Sequence, residues 1–124
     1  LLIDRLIFSE FMEEYKFLFK KYNPIITLLS LKNMSGKQKY LRFEDNKICL
    51  TFDFVNNKTN KMFMGKIDEL CIKFKILPSI IKDSRINEST FNQCYTDASL
   101  FKTKLKQFDK NRVYKSELSE RLGL

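Results

Sequence analysis

The sequence predicts an α+β fold, in which an antiparallel sheet packs against helices. Three observations support this class. Apolar residues alternate with polar ones between Lys47 and Val55, and this period of two is typical of a strand with one apolar face. Segments before and after that strand repeat their apolar residues at helical spacing. The resulting order is helix, strand, strand, helix, strand and then further helices, which is the order of an α+β chain.

The first half of the chain is predicted to form one helix and two strands. Ser9 is expected to cap the helix, and Asn23-Pro24 is expected to end it because proline disfavours a helical residue before it. Residues 25–31 are almost all apolar and predict a buried strand. A polar connection then leads to the alternating strand described above.

The second half is predicted to be mainly helical. Helices are expected over residues 62–74, 88–95, 100–108 and 117–121, and a short strand over residues 79–81 after Pro78. Asn87 and Ser116 directly precede two of these helices, so we expect their side chains to cap them.

Composition excludes several classes of site. The 124 residues contain no histidine, which rules out a Ser-His-Asp triad and argues against zinc or any other metal. Cys49, Cys71 and Cys94 form no CxxC pair and are interpreted as small residues of a reducing, cytoplasmic compartment. The net charge of +8 is interpreted as a solvated basic surface. No apolar run approaches the ~20 residues needed to cross a bilayer.

Two features stand out from the residues alone. Lys82-Asp83-Ser84-Arg85 follows a short apolar segment, where a lysine can offer a cation to an anion or a hydroxyl, although the residues alone favour an ordinary charged turn. Tyr95 is either a core residue or a pocket hydroxyl. No Gly-rich phosphate-binding motif occurs. These residues alone indicate a basic α+β domain of open function.

Several short motifs, taken in order, resemble the C-terminal part of FAD-linked oxidases of the vanillyl-alcohol-oxidase superfamily, and most of all the decaprenylphosphoryl-ribose oxidase group. The resemblance runs from about Thr51 to the end of the chain. Its motifs are Thr51-Phe52-Asp53-Phe54, Lys82 to Arg85, Thr90-Phe91 with Tyr95, the stretch from Asp109 to Ser116, and Arg121-Leu122-Gly123-Leu124. Val55 departs from the family, which has proline there.

The resemblance implies a division into two regions and a role for flavin. Residues 1–76 would be the C-terminal part of a substrate or cap domain, and residues 77–124 would return to complete an FAD-binding domain. The loops that bind the FAD pyrophosphate would lie upstream in the longer protein. This fragment alone is therefore not expected to retain FAD or to be active.

The resemblance also implies roles for individual residues. Lys82 matches a lysine beside flavin and substrate, where a cation would be catalytic by stabilising negative charge. Lys32, Cys49 and Thr51 match substrate-binding positions, and Ser79 matches a position near the cofactor. Relatives often carry Asn and Cys where Cys49 and Thr51 stand, and Tyr where Ser79 stands. Tyr95 and Arg85 match structural supports.

The implied function is oxidation of a sugar-like alcohol by hydride transfer to FAD. Partners would be that alcohol and the upstream FAD domain, with no nucleic acid, and with peripheral membrane association if the substrate is lipid-linked. A different class stays open: a small basic module that binds nucleic acid or other anionic partners. A third alternative is an oxidase fold that has lost its chemistry, given the departures at Cys49, Thr51 and Ser79.

Overall fold

A computed structural model describes residues 1–36, 40–41, 47–80 and 85–124. The elements of these residues are β1 (Leu2–Asp4), α1 (Phe8–Tyr22), β2 (Ile26–Met34), β3 (Lys47–Phe54), α2 (Lys58–Phe74), α3 (Glu88–Cys94), α4 (Ala98–Phe108) and α5 (Glu117–Arg121). The predicted α+β class, with an antiparallel sheet and packed helices, is confirmed.

The sheet has three antiparallel strands in the order β1-β3-β2. Alternation along β3 directs Ile48, Leu50, Phe52 and Phe54 to one face, and Leu50 is fully buried there. We call this the helix face, because the Phe52 ring packs on Tyr15 of α1 and the Phe54 ring packs on Phe63 of α2. The core therefore begins between this face and the two long helices, where Phe11, Tyr15 and Phe63 are buried, and it continues to Phe91 and Leu122.

Local signals fixed most helix ends as expected. Asn23 ends α1 in a left-handed conformation, with φ of 45°. The Asn87 side chain accepts a hydrogen bond from the Thr90 amide, and Ser116 forms a reciprocal capping box with Ser119. The expected cap at Ser9 is wrong: α1 begins at Phe8, so Ser9 lies inside the first turn and cannot cap it.

Two strand predictions need correction. The strand predicted over residues 25–31 is present as β2, which forms a hairpin with β3, but it is not buried. β2 lies at the edge of the sheet and leaves Leu28, Leu29 and Leu31 about half exposed. The expected strand at 79–81 is absent at Ser79 and Ile80, and Ile81 lies outside the described residues. Leu77, just before this segment, forms a bridge to Leu2.

Asn60 joins α2 to the open end of the β2–β3 hairpin. This buried side chain accepts a hydrogen bond from the Ile25 amide at 3.0 Å and donates to the carbonyls of Ile25 and Val55 at 3.0 and 2.7 Å. One amide side chain thus satisfies three backbone groups where the hairpin leaves regular pairing. Asn60 therefore holds the two strands that carry the candidate site.

Candidate functional site

The face of the sheet opposite the helices carries three of the residues that the resemblance assigned to substrate. Lys32 and Cys49 are direct partners across the β2–β3 ladder, and Ser30 and Thr51 are the next partners on the same face. Partner residues in an antiparallel pair point to the same side, with Cα atoms ~4.5–5.5 Å apart. The register therefore brings Lys32, Cys49 and Thr51 together. We call Leu28, Ser30, Lys32, Cys49, Thr51 and Asp53 the polar face.

The polar face combines different hydrogen-bonding groups in a small area. The Cys49 thiol lies 3.7 Å from the Thr51 hydroxyl, and both side chains are half-buried. Lys32 and Asp53 are exposed and lie near opposite ends of the face. An ammonium group, two hydroxyls and a carboxylate can each bond the hydroxyl groups of a polyol, as donors, acceptors or both.

Sequence reasoning did not select Ser30 or Asp53, although the register places both on this face. The period of two already placed Asp53 on the face of Cys49 and Thr51, but nothing in the sequence assigned it to the site. The same spacing relates Ser30 to Lys32, and the pairing of Ser30 with Thr51 places it beside the other residues of the face.

The other two predicted site residues lie near the far edge of the sheet. Ser79 follows Leu77 and Pro78. The Leu77 amide donates to the Leu2 carbonyl at 3.2 Å, and the Leu77 carbonyl accepts from the Leu2 amide at 2.8 Å. Ser79 and Lys32 thus lie near opposite edges of the sheet. The strand pairing does not bring Ser79 into contact with the polar face. Lys82 lies outside the described residues.

Side chains from three elements hold the described residues on either side of residues 81–84. The buried Tyr95 hydroxyl donates to the Pro78 carbonyl at 2.6 Å, so Tyr95 is a core tyrosine. Arg85 forms two hydrogen bonds with Asp68, at 2.5 and 2.8 Å. Arg121 donates to the carbonyl of Ile86, which is fully buried. Tyr95 and Arg85 thus make structural contacts, with Pro78 and Asp68 respectively.

Burial makes the titratable core groups poor nucleophiles. It raises the pKa of the Cys94 thiol to about 11 and also raises the pKa of Cys71, so both thiols stay protonated near neutral pH. Burial likewise raises the pKa of the Tyr95 phenol, which keeps the proton it donates to Pro78. The half-buried Cys49 is the one cysteine of the three with substantial access to a ligand.

A second charged surface lies at the end of α4. We call residues 104–115 the basic tip, since five cations and one carboxylate occur there: Lys104, Lys106, Lys110, Arg112, Lys115 and Asp109. The Asp109 carboxylate accepts from the amides of Val113 and Tyr114 at 2.8 and 2.9 Å, which shapes the turn. Phe108 and Tyr114 are 82% and 77% exposed, so aromatic rings are interleaved with the cations.

The described residues offer little to a metal ion or to FAD. They contain no group of three or more Cys, Asp and Glu side chains placed to hold a metal ion. For FAD, the glycines are the natural test, because a pyrophosphate needs close approach to backbone N–H groups. Gly65 lies inside α2, and a Cβ on Gly123 would meet the Glu88 carboxylate. Gly65 and Gly123 therefore provide no such approach among the described residues.

The sequence was compared with protein families and with curated proteins. No protein-family model matches it, and no curated protein is significantly similar to it. No helix among the described residues combines the length and the apolar character needed to cross a bilayer.

Proposed function

We propose that this chain is the C-terminal portion of an FAD-dependent oxidoreductase that oxidises a sugar-like alcohol in the cytoplasm. The observation that supports the proposal is the register of the hairpin. It aligns Lys32 with Cys49 and, one pair further along the same face, Ser30 with Thr51. A shift by one residue would have sent Lys32 to the helix face, because facing alternates along a strand.

In this proposal the polar face binds and orients the substrate. The Lys32 ammonium donates to the substrate hydroxyl oxygens, and the Thr51 hydroxyl both donates and accepts. Cys49 packs beside Thr51, at 3.7 Å, and provides a less polar contact for the carbon skeleton. The exposed Asp53 carboxylate can accept from a hydroxyl at the far end of the face. Several directed bonds on a rigid sheet fix the orientation of the alcohol.

Bound FAD would supply the hydride acceptor. The role of Lys82 rests on the family resemblance: its ammonium would stabilise negative charge that develops on the carbinol oxygen. The bonds of Pro78, Arg85 and Ile86 to the core support that role, because they fix the chain close to Lys82 on both sides.

The decisive experiment uses the longer protein that contains this chain. We expect it to be yellow as purified, to release FAD on denaturation, and to be bleached anaerobically by a sugar-like alcohol that it oxidises. Lys82→Ala should lower kcat sharply while leaving FAD content and the melting temperature unchanged. A colourless, flavin-free protein would contradict the proposal.

A second experiment tests the polar face in the 124-residue chain itself. Addition of polyols should shift the amide NMR signals of Lys32, Ser30 and Thr51 more than those of the helices. Lys32→Ala and Thr51→Val should weaken these shifts, whereas Lys61→Ala, which removes an exposed lysine of α2, should leave them unchanged. Equal effects of the two lysine substitutions would remove the face from the proposal.

The basic tip favours one other function, a binding module for nucleic acid. Exposed Phe108 and Tyr114 can stack on bases, while the surrounding lysines neutralise phosphates. This alternative predicts binding of a single-stranded oligonucleotide that weakens steeply with salt and is lost in Phe108→Ser with Tyr114→Ser. If no binding occurs at low salt, the alternative is excluded and the basic tip is a solvated surface.

A further inference from the structure

β2 has one edge on which no described residue pairs. It is nine residues long and lies at the end of the strand order β1-β3-β2. The Leu50 amide donates to the Leu1 carbonyl at 2.9 Å, and the Leu50 carbonyl accepts from the Leu1 nitrogen at 2.8 Å. Leu50 therefore directs its backbone groups toward β1. Its partner Leu31 must direct its own backbone groups away from β3, as must Leu29 and Asn33.

The side chains along this edge are apolar and partly exposed. Leu28, Leu29 and Leu31 are 53%, 53% and 55% exposed. Proteins usually protect an edge strand by shortness, by proline or by several charges, whereas β2 has nine residues, no proline and only Lys32 as a charge. Open N–H and C=O groups combined with half-exposed leucines are the features of a strand that pairs with another strand.

We propose that the partner is a second copy of this chain, whose β2 pairs antiparallel with the first around a two-fold axis at Ser30. In this arrangement Leu29 lies opposite Leu31 of the second copy, and Leu31 lies opposite Leu29. The backbone groups of both residues point across the junction, so each pair can exchange two hydrogen bonds. The same alignment places Leu29 and Leu31 of the two copies against each other on the helix face of the sheet.

Charge on the polar face complements this register. Lys32 of the second copy lies opposite Leu28, whose partner within its own chain is Asp53. The Lys32 and Asp53 positions are then two strand spacings apart, roughly 10 Å, which a lysine and an aspartate side chain together can span across Leu28. The symmetry repeats this contact, so the dimer gains two opposite-charge pairs and opposes no like charges.

The other edge of the sheet explains why association would stop at two copies. β1 is only three residues long, and Leu2 already exchanges two backbone hydrogen bonds with Leu77. Pairing of β2 with β2 therefore gives a closed, six-stranded sheet and not a filament. It also joins the two polar faces in one row. Ser30 of each copy lies at the axis, and Thr51 of each copy lies one strand further from it.

Sedimentation velocity of the 124-residue chain over a range of concentrations tests the dimer. Leu29→Lys with Leu31→Lys, and separately Leu29→Glu with Leu31→Glu, should each weaken self-association at least roughly tenfold, because every substituted residue faces a like charge. An equimolar mixture of the two variants should restore the dimer. The control Leu100→Lys changes a similarly exposed leucine of α4 and should leave the dimer intact.

A crosslink tests the axis independently of the charge variants and of their folding. Ser30 faces Ser30 of the second copy in a pair without hydrogen bonds, where Cα atoms lie ~4.5 Å apart, a distance that a disulfide accepts. In a Cys49→Ser background, Ser30→Cys should form a dimer on mild oxidation, and Thr103→Cys, an exposed position on α4, should not. A wild-type chain that is monomeric at millimolar concentration, or a dimer that Ser30→Cys fails to crosslink, would overturn the proposal.

Discussion

Asn60→Ala should destabilise the protein far more than the Asn-rich sequence around it indicates. The substitution removes three hydrogen bonds, one accepted from the Ile25 amide and two donated to the carbonyls of Ile25 and Val55. At about 1 kcal/mol for each bond, the expected loss in the free energy of unfolding is about 3 kcal/mol. For a chain of this size it corresponds to a fall in Tm of roughly 10 °C.

The assay is urea denaturation followed by circular dichroism, with Asn56→Ala as the matched control. Asn56 has the same side chain, lies four positions earlier and is exposed. Its replacement should change the unfolding free energy by less than about 0.5 kcal/mol. A cost below about 1 kcal/mol for Asn60→Ala, or one equal to that of Asn56→Ala, would refute the reasoning, because backbone groups at the hairpin end would then be satisfied without Asn60.

Three further predictions concern stability. Tyr95→Phe removes the buried hydrogen bond to Pro78 and should cost about 1–2 kcal/mol in urea denaturation, whereas no change would mean that this carbonyl finds another donor. Asp68→Asn weakens the half-buried pair with Arg85 and should cost about 1 kcal/mol, an effect that high salt should reduce if it is electrostatic. Gly65→Ala should raise stability by about 0.5–1 kcal/mol in thermal unfolding, since no atom lies within 4 Å of the added Cβ; a lowered Tm would contradict this.

Local signals explain which parts of the fold the sequence could predict. The period of two in β3 and the caps at Asn87 and Ser116 depend on near neighbours in the chain, so the pattern was sufficient. β1 was missed because three residues carry no readable period, and it forms through its pairing with β3 and the bridge from Leu2 to Leu77. The apolar run of β2 predicted burial. Composition alone does not distinguish an edge strand from a central strand, because that difference depends on which strands lie beside it.

The candidate site divides along the same line. Cys49 and Thr51 share a face because they are two residues apart, and this was readable from the sequence. Lys32 joins them only through the register, which long-range contacts set. The role of Asn60 was not readable from the sequence, since its partner Ile25 lies 35 positions away along the chain. Sequence patterns therefore identified individual groups, and the pairing of β2 with β3 determined which of them act together.

The two parts of the proposed site are held by different contacts, and this separates their effects. Asn60 fixes one end of the β2–β3 hairpin, and this hairpin carries Lys32 and Thr51. Tyr95 fixes Pro78, four residues before Lys82. In the longer protein, Asn60→Ala should therefore mainly raise KM by loosening the substrate face, and Tyr95→Phe should mainly lower kcat. If both substitutions changed KM and kcat in the same proportion, general destabilisation would explain the loss, and the hairpin and the Lys82 segment would not be separate parts of one site.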